Sequence, residues 1–278
     1  MSVEKMIKAE ARNTLKSGYV SAIMGFVLML LLFMFFEAIA QADGLIYITL
    51  DEIFDKDIFF SAVLYYVIKA ILTLIPCVVF LLLSPFINGY IKLYYDASLQ
   101  NKYDVENLAY FFHKGKYKKT IKLNFSYFLR MIIPTVIFSL PILAFVIICS
   151  LCSDNYNEQG WYYFFFGVFV FLSTVGLLIY SLKYFVVFTK YSVDESLNIK
   201  EYFKYSKHIM NGKTVEIIKL TVSFIPWFLL SLLAVPLIYV VPYYTQALCI
   251  SAKWLCELEK EENNYEETQS IPLFNSIQ

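Results

Sequence analysis

Apolar residues in this chain come in runs of about twenty, the length a helix needs to cross about 30 Å of hydrocarbon. Short stretches of mixed charged and apolar residues separate the runs. The runs predict spans over residues 19–40, 70–90, 131–152 and 161–182. A last apolar region, 220–252, holds 33 residues, too many for one crossing and slightly few for two. Pro236 and Pro242 lie near its middle, and proline inside a helix removes a hydrogen bond. A tight hairpin of two short helices is expected there, with about nineteen residues per arm if it extends from Glu216 to Glu257. The predicted fold class is all-α, a polytopic membrane helix bundle of about six spans, with five as the competing count.

Three charged amphipathic stretches each end at a glycine and lead into a span: Lys16-Ser17-Gly18, Lys114-Gly115-Lys116 and Asn211-Gly212-Lys213. In the third, Ile199, Tyr202, Phe203, Ser206, Ile209 and Met210 share one helical face, while Lys200, Lys204 and Lys207 lie off it. Asn198 and Glu201 have the spacing of a capping box. Gly212 stands where a left-handed residue ends a helix. The first stretch places Val3, Met6, Ile7, Ala11 and Leu15 on one face, away from Lys5, Lys8, Arg12 and Lys16. The second has Leu108, Phe111 and Phe112 behind a capping Asp104. Two placements fit such helices. They can lie in the inner headgroup layer, where anionic lipids attract their lysines, or pack on one another and on the bundle as a cytoplasmic cap.

Superposing Gly115 on Gly212 aligns Lys116 with Lys213, Ile121 with Ile218, Lys122 with Lys219, Leu123 with Leu220 and Ser126 with Ser223. The offset is constant. The expected organisation is one membrane domain over 1–258, in three repeats of amphipathic helix plus helical hairpin (1–98, 99–190 and 191–258). A flexible acidic tail, 259–278, follows.

Basic residues set the orientation. Residues 41–58 hold only Lys56 against five acidic residues, and 153–160 hold no lysine or arginine. Residues 1–18, 102–122 and 183–219 hold four, six and seven. By the positive-inside rule these basic segments are cytoplasmic, as are both termini. The small-residue triplet Ala38-Ile39-Ala40 resembles a signal cleavage site, but Glu37 intrudes and the apolar run exceeds the usual length, so an uncleaved first span is expected.

Composition agrees with a bilayer setting: 59% hydrophobic and 17% charged, against roughly 45–50% and 25% in soluble domains. Net charge is zero, so nothing points to a nucleic-acid partner. Cys149 and Cys152 have CxxC spacing without a second pair. Membrane packing is the expected role, with a disulfide at the outer surface as the alternative.

Tyr202 to Trp227 resembles a segment of an uncharacterised family of multi-span integral membrane proteins of Gram-positive bacteria, which carry a domain of unknown function. Ile7 to Arg12 with Leu15 to Gly18, and Ser84-Pro85-Phe86 with Gly89-Tyr90, resemble it too. The chain departs from the pattern at Pro226, where glycine is expected. The family is similar in layout to the membrane domain of some glycerophosphodiester phosphodiesterases. The resemblance implies a bacterial plasma membrane and a helical multi-span fold, and it carries over no catalytic residue.

Catalytic constellations are missing from the sequence. There is no phosphate-binding loop, dinucleotide fingerprint, HExxH or GxSxG string. His113 and His208 have no metal partner at suitable spacing, and the acidic residues Asp51, Glu52, Asp55 and Asp57 read as a solvated loop. No enzyme, cofactor or metal is expected. Charge at membrane depth is costly and often functional, which singles out Lys69 and Arg130. Each either snorkels from a span end or sits deeper, Lys69 then lying among Tyr65 and Tyr66. Lys92, Asp96 and Lys183 gather at inner span ends, where a lysine–aspartate pair could line a vestibule.

Two functions follow from this reading. One is a non-enzymatic scaffold, regulator or accessory component acting through its cytoplasmic helices, with anionic headgroups and an unidentified protein as partners. The other is a transporter or flippase of a lipid, amphiphile or toxic peptide, suggested by the repeats and by span prolines Pro76, Pro134, Pro141 and Pro226.

Overall fold

The computed structural model describes residues 2–53, 59–152, 160–233 and 235–270, and every regular element among them is helical. In chain order these are α1 (Val3–Ser17), α2 (Tyr19–Ile53), α3 (Phe59–Leu83), α4 (Pro85–Gln100) and a 3-10 helix, Val105–Phe112. Then come α5 (Tyr117–Cys152), α6 (Gly160–Ser181), a 3-10 turn (Leu182–Tyr184), α7 (Val187–Val193) and α8 (Ile199–Ile209). Last are α9 (Thr214–Val222), α10 (Ile225–Leu230), a 3-10 turn (Ser231–Leu233) and α11 (Leu237–Ser270).

Among the described residues four helical stretches are long and apolar enough to cross a membrane: Tyr19–Ile39, Val63–Gln100, Tyr117–Ser150 and Trp161–Val193. The pair of spans expected within 220–252 is built differently. Two prolines divide that region. A proline at position 226 cannot donate to the carbonyl of Val222 and its ring crowds that carbonyl, and α9 ends at Val222. Pro236 forms a turn before α11. The break at Pro236 falls where expected, but Pro242 lies inside the unbroken α11, and the arm before the break is three short helical pieces.

Helix boundaries also move. The segment 41–58, expected to be a loop, is helical through Ile53, and α3 starts at Phe59, well before 70. Helix α5 starts at Tyr117, taking Lys118, Lys119, Lys122 and Arg130 into the helix that was expected to begin at 131. The main chain needs no apolar side chains to continue a helix, and lysine and arginine are good helix formers. At Pro85 the reverse holds. Leu81 loses the amide that would have met its carbonyl, Ser84 Oγ donates to that carbonyl at 2.7 Å, and α3 stops. Pro76, Pro134 and Pro141, by contrast, lie inside unbroken helices.

Local signals are read correctly in several places. Asp104 Oδ1 accepts from the Glu106 amide at 3.1 Å, and Asn198 with Glu201 forms a full capping box. Gly115 and Gly212 adopt φ of 94° and 78°, the left-handed region that side chains disfavour. Gly18 serves another purpose, because a Cβ there would stand 2.5 Å from the Tyr103 ring.

The chain forms two compact units. One comprises Ala9–Asn124 and Leu230–Cys249. Its interior is rich in tyrosine: Tyr94 donates to the Ala22 carbonyl at 2.9 Å, and Tyr103 donates to Gln246 Oε1 at 2.7 Å. Helix α4 packs so closely on the 3-10 helix that a Cβ at Gly89 would run into the Leu108 carbonyl. The other unit comprises Met1–Lys8, Phe125–Leu229 and the chain from Ile250 onward. Val186, Ile209, Met210, Ile217 and Leu255 form a buried apolar cluster in it.

The amphipathic stretches bury much of their apolar faces in protein. Ile7, Ala11 and Leu15 of α1, Leu108 and Phe111 of the 3-10 helix, and Tyr202, Phe203 and Ile209 of α8 are all buried in protein. Met6 (53% exposed) and Phe112 (38%) of the same stripes stay open. By contrast with this burial, the crossing-length stretches show outward residues such as Phe33 (64% exposed), Ile133 (68%) and Phe171 (66%).

Candidate functional site

The five charged residues singled out from the sequence divide between the units. Lys92 and Asp96, one helical turn apart on α4, pair at 3.1 Å. Asp96 also accepts from Asn107 Nδ2 at 3.1 Å, and the Lys92 ammonium lies 4.6 Å from the Tyr110 ring centre. Both contacts reach the 3-10 helix, so the pair works as a clamp that holds that helix on α4. Lys69 lies about three turns inside α3, its ammonium donating to Tyr65 Oη at 3.1 Å and sitting above the same ring.

Arg130 and Lys183 belong to the other unit. The Arg130 guanidinium lies over the Phe203 ring at 3.8 Å and donates to the Ser126 carbonyl at 3.0 Å, with a further contact to Ser126 Oγ. Phe203 meets Tyr184 edge-on, and Tyr184 meets Tyr127 and Tyr180. The guanidinium is therefore satisfied by a hydroxyl-bearing turn and an aromatic face on α8.

Lys183 participates in a larger arrangement. It follows α6 directly, and its ammonium stands 4.4 Å from the Tyr180 ring centre. Ser206, fully buried on α8, donates to the Lys183 carbonyl at 3.0 Å and accepts from the Val186 amide at 3.2 Å. This double bond pattern ties the end of α6 to the middle of α8. Lys204, Lys207 and His208 have the i, i+3, i+4 spacing that puts them on one face of α8. With Lys183 they line an open groove of about 420 Å³, completed by Met210, Asn211, Gly212 and Thr214. No carboxylate is among its lining residues. A Glu259 carboxylate stands behind it, 3.5 Å from His208 Nδ1. The left-handed Gly212 ends the α8 segment and admits Thr214 as the first residue of α9, whose positive end joins the cations.

Sequence reading placed Lys204 and Lys207 off the apolar face without assembling them into a site. The spacing of 204, 207 and 208, followed by a glycine break, was the available signal. Lys183 was identified, but its neighbours on α8 were not foreseeable, because the Ser206 link depends on tertiary packing.

Burial pushes the pKa of the Tyr202 and Tyr205 hydroxyls up, and that of Tyr103 too. It draws the pKa of the Lys8 ammonium down. Lys8 Nζ donates to the Ser223 carbonyl at 2.8 Å and sits over the Phe224 ring. Cys149 is a buried free thiol. Asp55 and Asp57 lie outside the described residues, as do the side chains of Asp51, Glu52 and Cys152. Among the described residues no group of three or more His, Cys, Asp or Glu side chains is placed to hold a metal ion.

Fold and site together define an all-helical protein with four stretches fit to cross a bilayer and a lysine-lined groove beside the end of α6. Over residues 1–254 the chain matches the family described as "Protein of unknown function (DUF975)", and it belongs to that family. No curated protein and no solved structure matches it.

Proposed function

We propose that this chain is a multi-pass protein of a bacterial plasma membrane that works as a non-enzymatic scaffold, regulator or accessory component. Its termini and basic segments face the cytoplasm in this reading. Apolar faces as exposed as those of Phe33, Ile133 and Phe171 would associate in water, and lipid is the medium that accommodates them. The observation that carries the functional part is the burial of the amphipathic stripes. Helix α8 spends its apolar face on the protein itself, so it offers Lys204 and Lys207 outward. Such a basic face is suited to docking a partner or anionic headgroups. The common left-handed glycines at 115 and 212 support the repeated layout.

A transport role has less support: of the four prolines it drew on, Pro76, Pro134 and Pro141 leave their helices continuous, and only at Pro226 is the helix interrupted.

The test is cross-linking in native membranes together with labelling of a Lys118→Cys variant. Repeated recovery of one protein partner is expected, with label reaching position 118 only after the inner face is opened. Labelling from the outer medium, or no reproducible partner, overturns the reading.

A further inference from the structure

We propose that the groove lined by Lys183, Lys204, Lys207 and His208 is a binding site for the phosphate-bearing headgroup of an anionic membrane lipid. The proposal rests on the membrane reading above and deepens it, from general attraction to a defined site. Three lysines and a histidine line one groove; among the described residues its lining has no carboxylate, and Glu259 stands 3.5 Å from His208 Nδ1. Such a set favours a ligand with more than one negative charge on a single group, which points to a phosphomonoester headgroup over a zwitterionic one. Asn211 and Thr214, the first residue of α9, complete the same wall. The volume of about 420 Å³ accommodates a glycerophosphate headgroup and is far larger than one phosphate ion requires.

The position of Lys183 links the groove to lipid. Four and five residues earlier on α6, Leu178 and Ile179 are 61% and 46% exposed, about 6–8 Å away along the helix axis. A lipid with its phosphate among the lysines can therefore lay its chains along this apolar wall. A soluble phosphate has no use for that wall. The Ser206 bonds to the Lys183 carbonyl and the Val186 amide hold the backbones of the two sides of the groove in register.

The full chain in detergent micelles can be titrated with short-chain phosphatidic acid, with the matching phosphatidylcholine, and with inorganic phosphate. Phosphatidic acid should bind at least about tenfold more tightly than either of the others. A Lys204→Gln, Lys207→Gln variant should weaken it about thirtyfold, at roughly fivefold per lysine. A Lys114→Gln, Lys118→Gln variant, which removes two exposed lysines outside the groove, should leave the affinity unchanged. The lysine variants need the same thermal midpoint as the parent, and α8 tolerates them because both side chains are exposed. Equal binding of inorganic phosphate overturns the lipid assignment in favour of a soluble phosphate. Equal losses in the two variants, or no loss in the first, overturn the site. The labelling of position 118 reports topology independently, so a failure there is separable from a failure of the groove.

Discussion

A single Cβ distinguishes the glycines of this chain. Gly89 allows α4 to meet the 3-10 helix backbone to backbone, and a methyl group there would run into the Leu108 carbonyl. Backbone cannot rotate aside as a side chain can, so Gly89→Ala should cost about 1–3 kcal/mol. Gly167, on α6, has nothing within reach of a Cβ, and Gly167→Ala should be neutral or gain up to about 1 kcal/mol from helix propensity. Thermal melts of the two variants in one detergent check the contrast. Equal midpoints would show that the α4 contact is looser than described. Tyr103 makes a second residue-scale case. Its hydroxyl donates to Gln246 Oε1, and Gln246 is fully buried with no partner for its Nε2 among the described residues. Tyr103→Phe strips the remaining bond from a buried amide and should cost about 1–3 kcal/mol, read from the same melts.

Elements in this chain hold together through polar links that local sequence does not announce. Ser206 was legible as part of the apolar face of α8, and it is indeed buried, yet its work is to bond Lys183 and Val186 on a different segment. Ser206→Ala should leave the Val186 amide buried without its acceptor, at a cost of about 1–3 kcal/mol. Hydrogen exchange at Val186 and along α8 should then quicken while α4 stays protected. Unchanged exchange would show that the link is dispensable. The same contrast describes what sequence made legible. Caps at Asp104 and Asn198, the left-handed glycines at 115 and 212, and the break at Pro236 are local events, set by residues within a turn of one another. Apolar runs such as Tyr19–Ile39 were equally plain. The starts of α3 and α5 were not, because hydropathy marks where lipid would begin, not where hydrogen bonding begins. The groove was half legible: Lys183 stood out by its position, whereas Lys204 and Lys207 entered only through the packing of α8.

At the scale of the molecule, buried hydroxyls couple stability to alkaline pH. Tyr103, Tyr202 and Tyr205 lie outside the crossing-length stretches, and burial raises the pKa of each above the ordinary tyrosine value of about 10. In the unfolded chain these phenols lose their protons near pH 10, while in the folded chain they keep them. Below about pH 10 both states carry the protons, and the full contribution of the buried phenols is present. Above it the unfolded state alone is deprotonated, and folding stability falls as pH climbs. Lys8 acts in the opposite sense. Its lowered pKa means that the folded chain releases the ammonium proton first, so stability gains slightly as pH rises through that value toward the ordinary lysine value of about 10.4. Three phenols outweigh one half-buried amine. The thermal midpoint in detergent should therefore hold steady from about pH 7 to 9 and drop between about pH 10 and 11.5. A Tyr202→Phe, Tyr205→Phe variant should begin lower at neutral pH, because Tyr202 Oη donates to the Asp194 carbonyl at 2.6 Å. Its midpoint should nevertheless fall by less across the alkaline range, since two of the titrating groups are gone. An equally steep fall in the double variant would move the alkaline sensitivity to groups elsewhere in the chain and remove burial of these two phenols as its cause.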